Sequence, residues 1–369
     1  MPYALRAPPA ARPATPLTDA ALAATGARGY RRSVGVEVDR RVTIFDVAEA
    51  AGVSITTVSH VFSGNRRVGA GTRQRVRDVA RELGYRPRAT AQALARGRTN
   101  TLALQLSISG ESLVLNPFLT LLLASLSLSA IDRGFSFVYV PPGPGSAGFV
   151  EPLLEAGRVD AAVLVDPMRG DPFVEAVVER AFPYVSIGRI LGMTSDYWVD
   201  NDHRAVCEKV IAHLAAAGYT RPALLTVPFE VSYVVDYTNG FRAAVGDDAL
   251  IAVADDLTDL AAQAAARSAL GSSEPPDAFF CIHDRLAVGA LLAAAEAGIA
   301  VPERLGVVGV GDSLASHTHP GLTSVRVFPE RAGDAAVGLL DAVLHGAEAD
   351  VPVLVDAQLV RRESTQRNG

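Results

Sequence analysis

A small all-helical head followed by a larger α/β body is the fold class this sequence predicts, and three observations predict it. Residues 43–84 carry short stretches of helical apolar spacing broken by a tight glycine turn. From Thr101 onward apolar runs alternate with helical ones, the pattern of βα units around parallel sheets. Charge divides at the same place: residues 1–100 hold 17 Arg and no Lys against 7 Asp and Glu, whereas 101–369 hold 17 Lys and Arg against 33 Asp and Glu. A basic head on an acidic body fits a chain whose head alone meets a polyanion; an arginine-rich disordered tail without a partner fits the same counts.

With 369 residues, 49% of them apolar, the chain has material for two or three domains with ordinary cores. Its longest apolar stretch, 118–131, holds four Ser or Thr and is too short and too polar to span a bilayer. Two cysteines, Cys207 and Cys281, make neither a disulfide framework nor a ligand cluster, which favours a reducing compartment. Residues 1–40 read as a disordered Pro/Ala/Arg-rich extension; no apolar core follows their positive residues, so an export signal is not expected.

The head, 41–87, divides into three helices. The first spans 43–51, with Ile44, Val47 and Ala48 on one face, and Gly52 ends it where a positive φ costs little. Ser54 caps the second, 55–62, which turns Val58 and Val61 inward. Thr72 caps the third, 73–83, with Val76, Val79 and Ala80 in helical register. Two helices around a tight turn, the second short and polar, form the helix-turn-helix pattern. The linker 88–100 contains an Ala-rich segment too short to be a stable helix alone, and reads as a hinge that orders on a partner. In the body, 101–369, strands are expected at 101–107, 135–140, 160–165, 183–188, 222–227, 278–282 and 306–310. Helices are expected between them at 117–132, 148–157, 171–180, 201–217, 236–246, 259–270 and 284–297, and this many units fit two lobes better than one. Pro183, Pro222 and Pro276 fall at strand starts, where proline is tolerated.

The run from Val42 to Val61, VTIFDVAEAAGVSITTVSHV, resembles the headpiece of the lactose/galactose repressor (LacI/GalR) family of bacterial transcription regulators. Thr72-Arg73, the run from Glu82 to Pro87, and Ala91 to Leu94 before Gly97-Arg98-Thr99 extend the resemblance. In the body it is carried by Asn116-Pro117-Phe118, Val199-Asp200-Asn201, Gly240-Phe241, Asp284 to Ala287, Leu322 to Val325, and Val360 to Ser364. It covers about residues 42–364 in the family's order.

The resemblance implies a sequence-specific regulator, more often a repressor than an activator, that binds a near-palindromic operator as a homodimer in the bacterial cytoplasm, on the nucleoid. Residue by residue, it places Ile55, Thr56 and His60 at base edges, and Leu94 as an apolar wedge in the minor groove. Ser54, Thr57, Ser59, Ser63, Thr72, Arg88, Arg96 and Arg98 would meet the sugar-phosphate backbone. Each Ser or Thr taken alone reads first as a helix cap, and Asp46, Val47, Val58 and Val76 are read as capping and core.

For the body the resemblance implies two lobes like those of periplasmic sugar-binding proteins, with a small-molecule effector between them off the carboxyl ends of the strands. The segments at that position are 107–118, 140–149, 166–169, 188–190, 227–237, 282–284 and 310–313. The sequence departs from the family where sugar hydroxyls are held: Tyr237 replaces an arginine, His283 an asparagine, Gly311 an aspartate, and Val327 a glutamine. Each charge-assisted partner lost is worth about 1.5–3 kcal/mol. Phe118, Tyr233, Tyr237, His283, Gly311 and Phe328 are therefore the expected effector contacts, in a cleft suited to a stacked sugar or a less polar ligand, with an effector-free regulator as the alternative. Asp284 and Asp312 are expected to cap the helix and turn that follow them rather than touch a ligand.

Two other function classes fit parts of the sequence. A literal Gly143-Pro144-Gly145-Ser146-Ala147-Gly148 suggests a nucleotide-dependent oxidoreductase, but Pro144 lacks the N–H such a loop offers phosphate. A secreted solute-binding protein conflicts with the added headpiece. His317-Thr318-His319 has zinc-compatible spacing without a companion cluster, so neither a metal, a cofactor nor an enzymatic activity is expected.

Overall fold

The computed structural model describes residues 42–63, 68–85, 98–107, 116–195, 197–246 and 248–367. The chain divides into two compact units, one ending at Pro87 and the other beginning at Arg88. The expected extension over 1–40 and most of the linker, 88–97, lie outside the described residues.

The first unit holds α1 (Ile44–Ala51), α2 (Ile55–Ser63) and α3 (Ala70–Glu82). Asp46 starts α1 by accepting both the Thr43 N–H and the Thr43 hydroxyl at 2.7 Å. Gly52 ends it in the left-handed region, φ 64° and ψ 38°, with its N–H on the Glu49 carbonyl. That turn lets Val47, Val58 and Val76, one from each helix, meet in a core where all three are fully buried. Ser54 Oγ accepts the Thr57 N–H at 3.1 Å and so caps α2, as its position predicts. Thr72 is not a cap: α3 begins three residues before the expected start, behind Gly69, and Thr72 lies inside its first turn. Ala70 lets the helix continue back to the glycine.

The second unit is built on two six-stranded sheets of matching order. The first lobe comprises β1 (Thr101–Leu106), α4 (Pro117–Asp132), β2 (Ser136–Val140), β3 (Ala161–Val165), α5 (Pro172–Glu179), β4 (Tyr184–Ile187) and β5 (Trp198–Asn201). The second comprises α6 (His203–Ala216), β6 (Pro222–Thr226), α7 (Ser232–Val245), β7 (Leu250–Val253), α8 (Asp259–Leu270), β8 (Ala278–Cys281), α9 (Asp284–Glu296), β9 (Gly306–Val310) and β10 (Thr323–Arg326). The chain then returns to the first lobe as α10 (Pro329–His345) and β11 (Val353–Val355), and ends in the second as β12 (Gln358–Val360). The sheet orders are β2-β1-β3-β4-β5-β11 and β7-β6-β8-β9-β10-β12, parallel throughout except for the antiparallel β10–β12 pair. Three segments thus cross between lobes, and the Asn201 side-chain amide donates to Val355 O at 2.8 Å and Val327 O at 3.3 Å, one acceptor on each of the other two crossings.

The α/β body and parallel sheets follow the sequence reading, but the element list grows. The short β5, the edge strand β7, β10 to β12 and α10 were not expected, although Ala332, Ala336, Val337 and Leu340 of α10 keep a helical spacing and are buried. The helix expected over 148–157 is a short 3₁₀ turn (Pro144–Phe149) running into one π turn (Val150–Glu155). In contrast, α7 begins four residues early, which puts Tyr233 in its first turn.

The second lobe's outer pair, α8 and α9, packs through Gly289. A Cβ there would stand 2.5 Å from both the Ala262 Cβ and the Asp259 carbonyl oxygen, closer than atoms approach. Gly289→Ala is therefore expected to destabilise the body by about 1–3 kcal/mol through overpacking, read as a lowered midpoint in urea unfolding with an unchanged slope.

Candidate functional site

On α2, Val58 and Val61 face the core, so helical spacing turns Thr56, Ser59 and His60 away from it, while Ile55, in the first turn, continues the valine stripe toward solvent. Ile55, an apolar side chain at the start of this helix, is 41% exposed, and Thr56 beside it is exposed. An apolar anchor beside a hydroxyl and an imidazole is the equipment for reading base edges in a major groove. The hydroxyls of Ser54 and Thr57 lie 2.9 Å apart and finish the cap, so their local role is structural whatever else they touch. Leu94, Arg88, Arg96 and the side chain of Ser63 lie outside the described residues. The structure gives Arg98 a partner other than phosphate: its guanidinium donates to the Leu344 carbonyl at 2.6 Å and meets His345 Nε2 at 3.0 Å. An arginine beside the carbonyls that end α10 is electrostatically favoured there, and this fastens the end of the linker to the first lobe.

A cavity of about 220 Å³ lies between the lobes at the carboxyl ends of the parallel strands. The first lobe contributes Asn116, Phe118, Leu119, Asp166, Ile187, Asp200 and Asn201, and the second contributes His203, Phe229, Tyr233, Tyr237, Asp256, Leu257, Ile282, His283, Val310 and Gly311. Val327 and Ala332 line it from the second crossing and α10. Five of the six expected effector contacts, Phe118, Tyr233, Tyr237, His283 and Gly311, converge here.

Phe328 does not line this cavity: its ring packs against the guanidinium groups of Arg326, at 4.8 Å, and Arg331, at 4.2 Å. Cation–π attraction to two arginines holds it against the first lobe's core instead. Segments 140–149 and 188–190 also stay off the lining. Sequence reasoning did not assign Asp200, His203 or Asp256 to the cleft, although Asp200 lies in the Val199-Asp200-Asn201 run that carries the resemblance.

Polar chemistry in the cleft is concentrated in a few buried groups. His203 Nε2 lies 2.9 Å from Asp200 Oδ1, and its ring packs 4.6 Å from that of Tyr237. Burial pulls this imidazole down, but Asp200, with Asp236 and Asp166 beyond, outweighs it and holds the histidine above its ordinary range. His283 behaves oppositely: burial, helped by Arg285, lowers it to about 4. Its Nδ1 accepts the Arg285 N–H at 3.2 Å, which places the proton of the neutral ring on Nε2, a buried donor without a partner. The Tyr237 hydroxyl, His203 Nδ1 and Asp200 Oδ2 are likewise buried without partners. Four such atoms around one cavity are polar capacity left for a ligand.

Off the lining, one guanidinium nitrogen of Arg189 in the first lobe donates to both carboxylate oxygens of Asp236 on α7, at 2.5 and 2.6 Å, and the Arg189 N–H donates to Ser232 Oγ. Asp284 does not touch the cavity. It accepts the Ser313 and Leu314 N–H groups and the Ser324 hydroxyl, so it holds the turn after β9, while His283 occupies the cap of α9. Asp312 pairs with Arg362 at 2.7 Å.

The glycine loop 143–148 offers no phosphate cradle. Asp171 accepts the Gly143 N–H at 2.7 Å and the Ser146 hydroxyl at 2.8 Å, so a carboxylate already occupies the place an anion would take. Among the described residues, no group of three or more His, Cys, Asp or Glu could hold a metal ion, and no helix is long and apolar enough to cross a membrane.

A helix-turn-helix head joined to a two-lobed body with an inter-lobe cavity defines a DNA-binding transcription regulator. Residues 43–88 match the bacterial regulatory proteins of the lacI family, and residues 211–365 match a periplasmic binding protein-like domain. The HTH-type transcriptional regulator CelR of Thermobifida fusca is 32% identical over 89% of this chain and 100% of its own length. The solved CelR–cellobiose complex superposes with a TM-score of 0.67 at 30% identity, covering 88% of this chain and 100% of that one. The lac repressor dimer bound to operator and the anti-inducer ONPF superposes with a TM-score of 0.77 at 25% identity, covering 89% and 100%. The chain belongs to the lacI family of bacterial regulatory proteins.

Proposed function

We propose that this regulator binds a near-palindromic operator as a homodimer, mainly to repress, and that a small molecule in the inter-lobe cleft modulates its affinity. The observation that carries the reading is the pairing of an exposed reading face on α2 with a cavity that retains four unpartnered buried polar atoms. The proposed base contacts are Ile55, Thr56 and His60, with Leu94 in the minor groove. Ser54, Thr57, Ser59, Ser63, Thr72, Arg88 and Arg96 are proposed at the backbone, with Arg98 joining them once released from α10. For a second copy, α4 offers Leu121, Leu128 and Ile131, all more than half exposed on a helix whose other side fills the first lobe's core. The lac repressor's dimeric, operator-bound structure supports this assembly.

The proposed effector is saccharide-like, in keeping with the cellobiose bound by CelR, and meets Phe118, Tyr233, Tyr237, His283 and Gly311. Binding would favour one lobe arrangement, and the three crossings tied by Asn201 would carry that bias toward the linker. The proposed place of action is the cytoplasm, on the nucleoid.

Fluorescence anisotropy on the DNA upstream of its own gene, against scrambled DNA across a salt series, tests the reading. A preference of about a hundredfold or more is expected, with both affinities falling as salt rises. Equal affinity for the two duplexes would overturn it.

A further inference from the structure

The cleft is one-sided in charge. Among the described residues, Asp166, Asp200 and Asp256 line it, and no lysine or arginine does. Of the arginines near the lining, Arg189 is already held by Asp236 and Arg285 by Asp259. Asp200 is matched by His203, and Asp256 sits exposed at the rim. Asp166 has no paired cation: among the described residues no hydrogen bond or ion pair to its carboxyl group is found, and His203 acts on it only through space.

That carboxyl group is nonetheless firmly placed. Asp166 follows β3 with φ 48°, a left-handed conformation that costs an aspartate energy and is kept only when the surroundings impose it. Its N–H donates to the Ile187 carbonyl at 2.8 Å, and Ser107 Oγ donates to its own carbonyl. Gly188 lies opposite, where a Cβ would come within 3.1 Å of Asp166 Oδ1 and 3.0 Å of Ser232 Oγ, so only glycine leaves room for this side chain between the lobes. Tyr237 and His203, both less than a tenth exposed, direct the unpartnered hydroxyl and Nδ1 toward the same cavity.

We propose that the effector is a cationic, amino-bearing sugar whose ammonium group is held by Asp166, with its ring against Tyr233 and Tyr237 and its hydroxyls at His283 and His203. This rests on the cleft being the effector site and names the ligand's charge class. A neutral sugar leaves this partly buried carboxyl group to hold its proton, and an anionic one adds a second negative charge beside it. An ammonium group matches Asp166 directly, and the aromatic walls favour a cation further.

The pH dependence provides an independent signature. Burial, reinforced by Asp200 and opposed by His203, raises the Asp166 carboxyl to about 7. A bound ammonium must expel that proton, so amine affinity falls as pH drops below 7, approaching tenfold per pH unit, while affinity for a neutral sugar stays flat.

The test is calorimetric titration of the full-length protein with two matched series. The first is glucosamine, glucose and glucose 6-phosphate; the second is the β-1,4-linked glucosamine disaccharide and cellobiose. At pH 7 the amino member of at least one series is expected to bind about tenfold or more tighter than its neutral counterpart, with glucose 6-phosphate weakest. That advantage should shrink toward unity at pH 5.5, and Asp166→Asn should abolish the preference for the amino over the neutral sugar. Should the variant fail to fold, the wild-type pH series decides alone. Neutral sugars binding as tightly as amino sugars, or a preference that ignores pH, would overturn the charge assignment and leave the effector site standing. No binding by any of the five would remove support from the site and overturn the amino-sugar proposal with it.

Discussion

His60→Ala is expected to cut the preference for a matched operator over a scrambled duplex by roughly ten- to a hundredfold while leaving affinity for the scrambled duplex nearly unchanged. The imidazole stands on the face of α2 that turns away from Val58 and Val61, so removing it leaves the helix and its core intact. An imidazole can donate to guanine N7 or O6, and a good base contact is worth about 1–3 kcal/mol of discrimination. Binding to scrambled DNA is supplied by phosphate contacts, which His60 does not make in this reading. Thr72→Ala is the counterpart: a lost phosphate contact should weaken both duplexes by similar, smaller factors. Anisotropy titrations of both variants on both duplexes separate the roles. Equal losses on matched and scrambled DNA for His60→Ala would refute its assignment to a base.

The head was the most legible part of the chain because its signals are local. Gly52, Ser54 and the valine spacing each act within a few residues, and the helices fall close to where those signals put them; the displaced start of α3 comes from Ala70, which extends a helix without marking its end. The body's alternation gave its class for the same reason. Its omissions are elements whose identity depends on distant neighbours: β5 is four residues with one fully buried side chain, and β7 is an edge strand with half its side chains toward solvent. The α10 helix was readable by spacing, but its return to the first lobe was not, since that depends on packing against α4.

The cleft shows the same division. Tyr237 and His283 were found because they depart from a recognisable motif, and both supply unpartnered polar atoms to the cavity. Asp200 and His203 were missed because a carboxylate near a crossing looks like any helix cap until the other crossings are drawn around it. Phe328 was misplaced because its two arginine partners, Arg326 and Arg331, lie on either side of it in the chain but act from above the ring.

Asp284→Ala is expected to destabilise the body by about 3–5 kcal/mol, the largest effect of any single change in the second lobe considered above. The carboxylate is fully buried and serves donors from two other segments: Ser313 N–H at 2.8 Å, Leu314 N–H at 3.2 Å and Ser324 Oγ at 2.6 Å. Gly309 leaves room for it, since a Cβ there would lie 2.4 Å from Asp284 Oδ1. Alanine strands the two backbone donors without water and opens a void beneath the turn that presents Gly311 to the cavity, so effector affinity should fall together with stability. Asp284→Asn discriminates between lost hydrogen bonds and lost charge. Its amide oxygen can take both N–H groups, and its NH₂ can donate to Ser324, whose hydroxyl rotates to accept. Burial raises this carboxyl despite those three hydrogen bonds, so the folded state holds its proton to higher pH than the unfolded chain does. The charge therefore costs stability as pH rises from the ordinary carboxylate range through the raised value, and the asparagine variant escapes that cost. Urea unfolding below the ordinary carboxylate range and again at pH 8 should show a smaller decline for Asp284→Asn than for wild type, with Asp284→Ala lowest at both. An alanine variant as stable as the asparagine one would mean that the turn does not need these bonds.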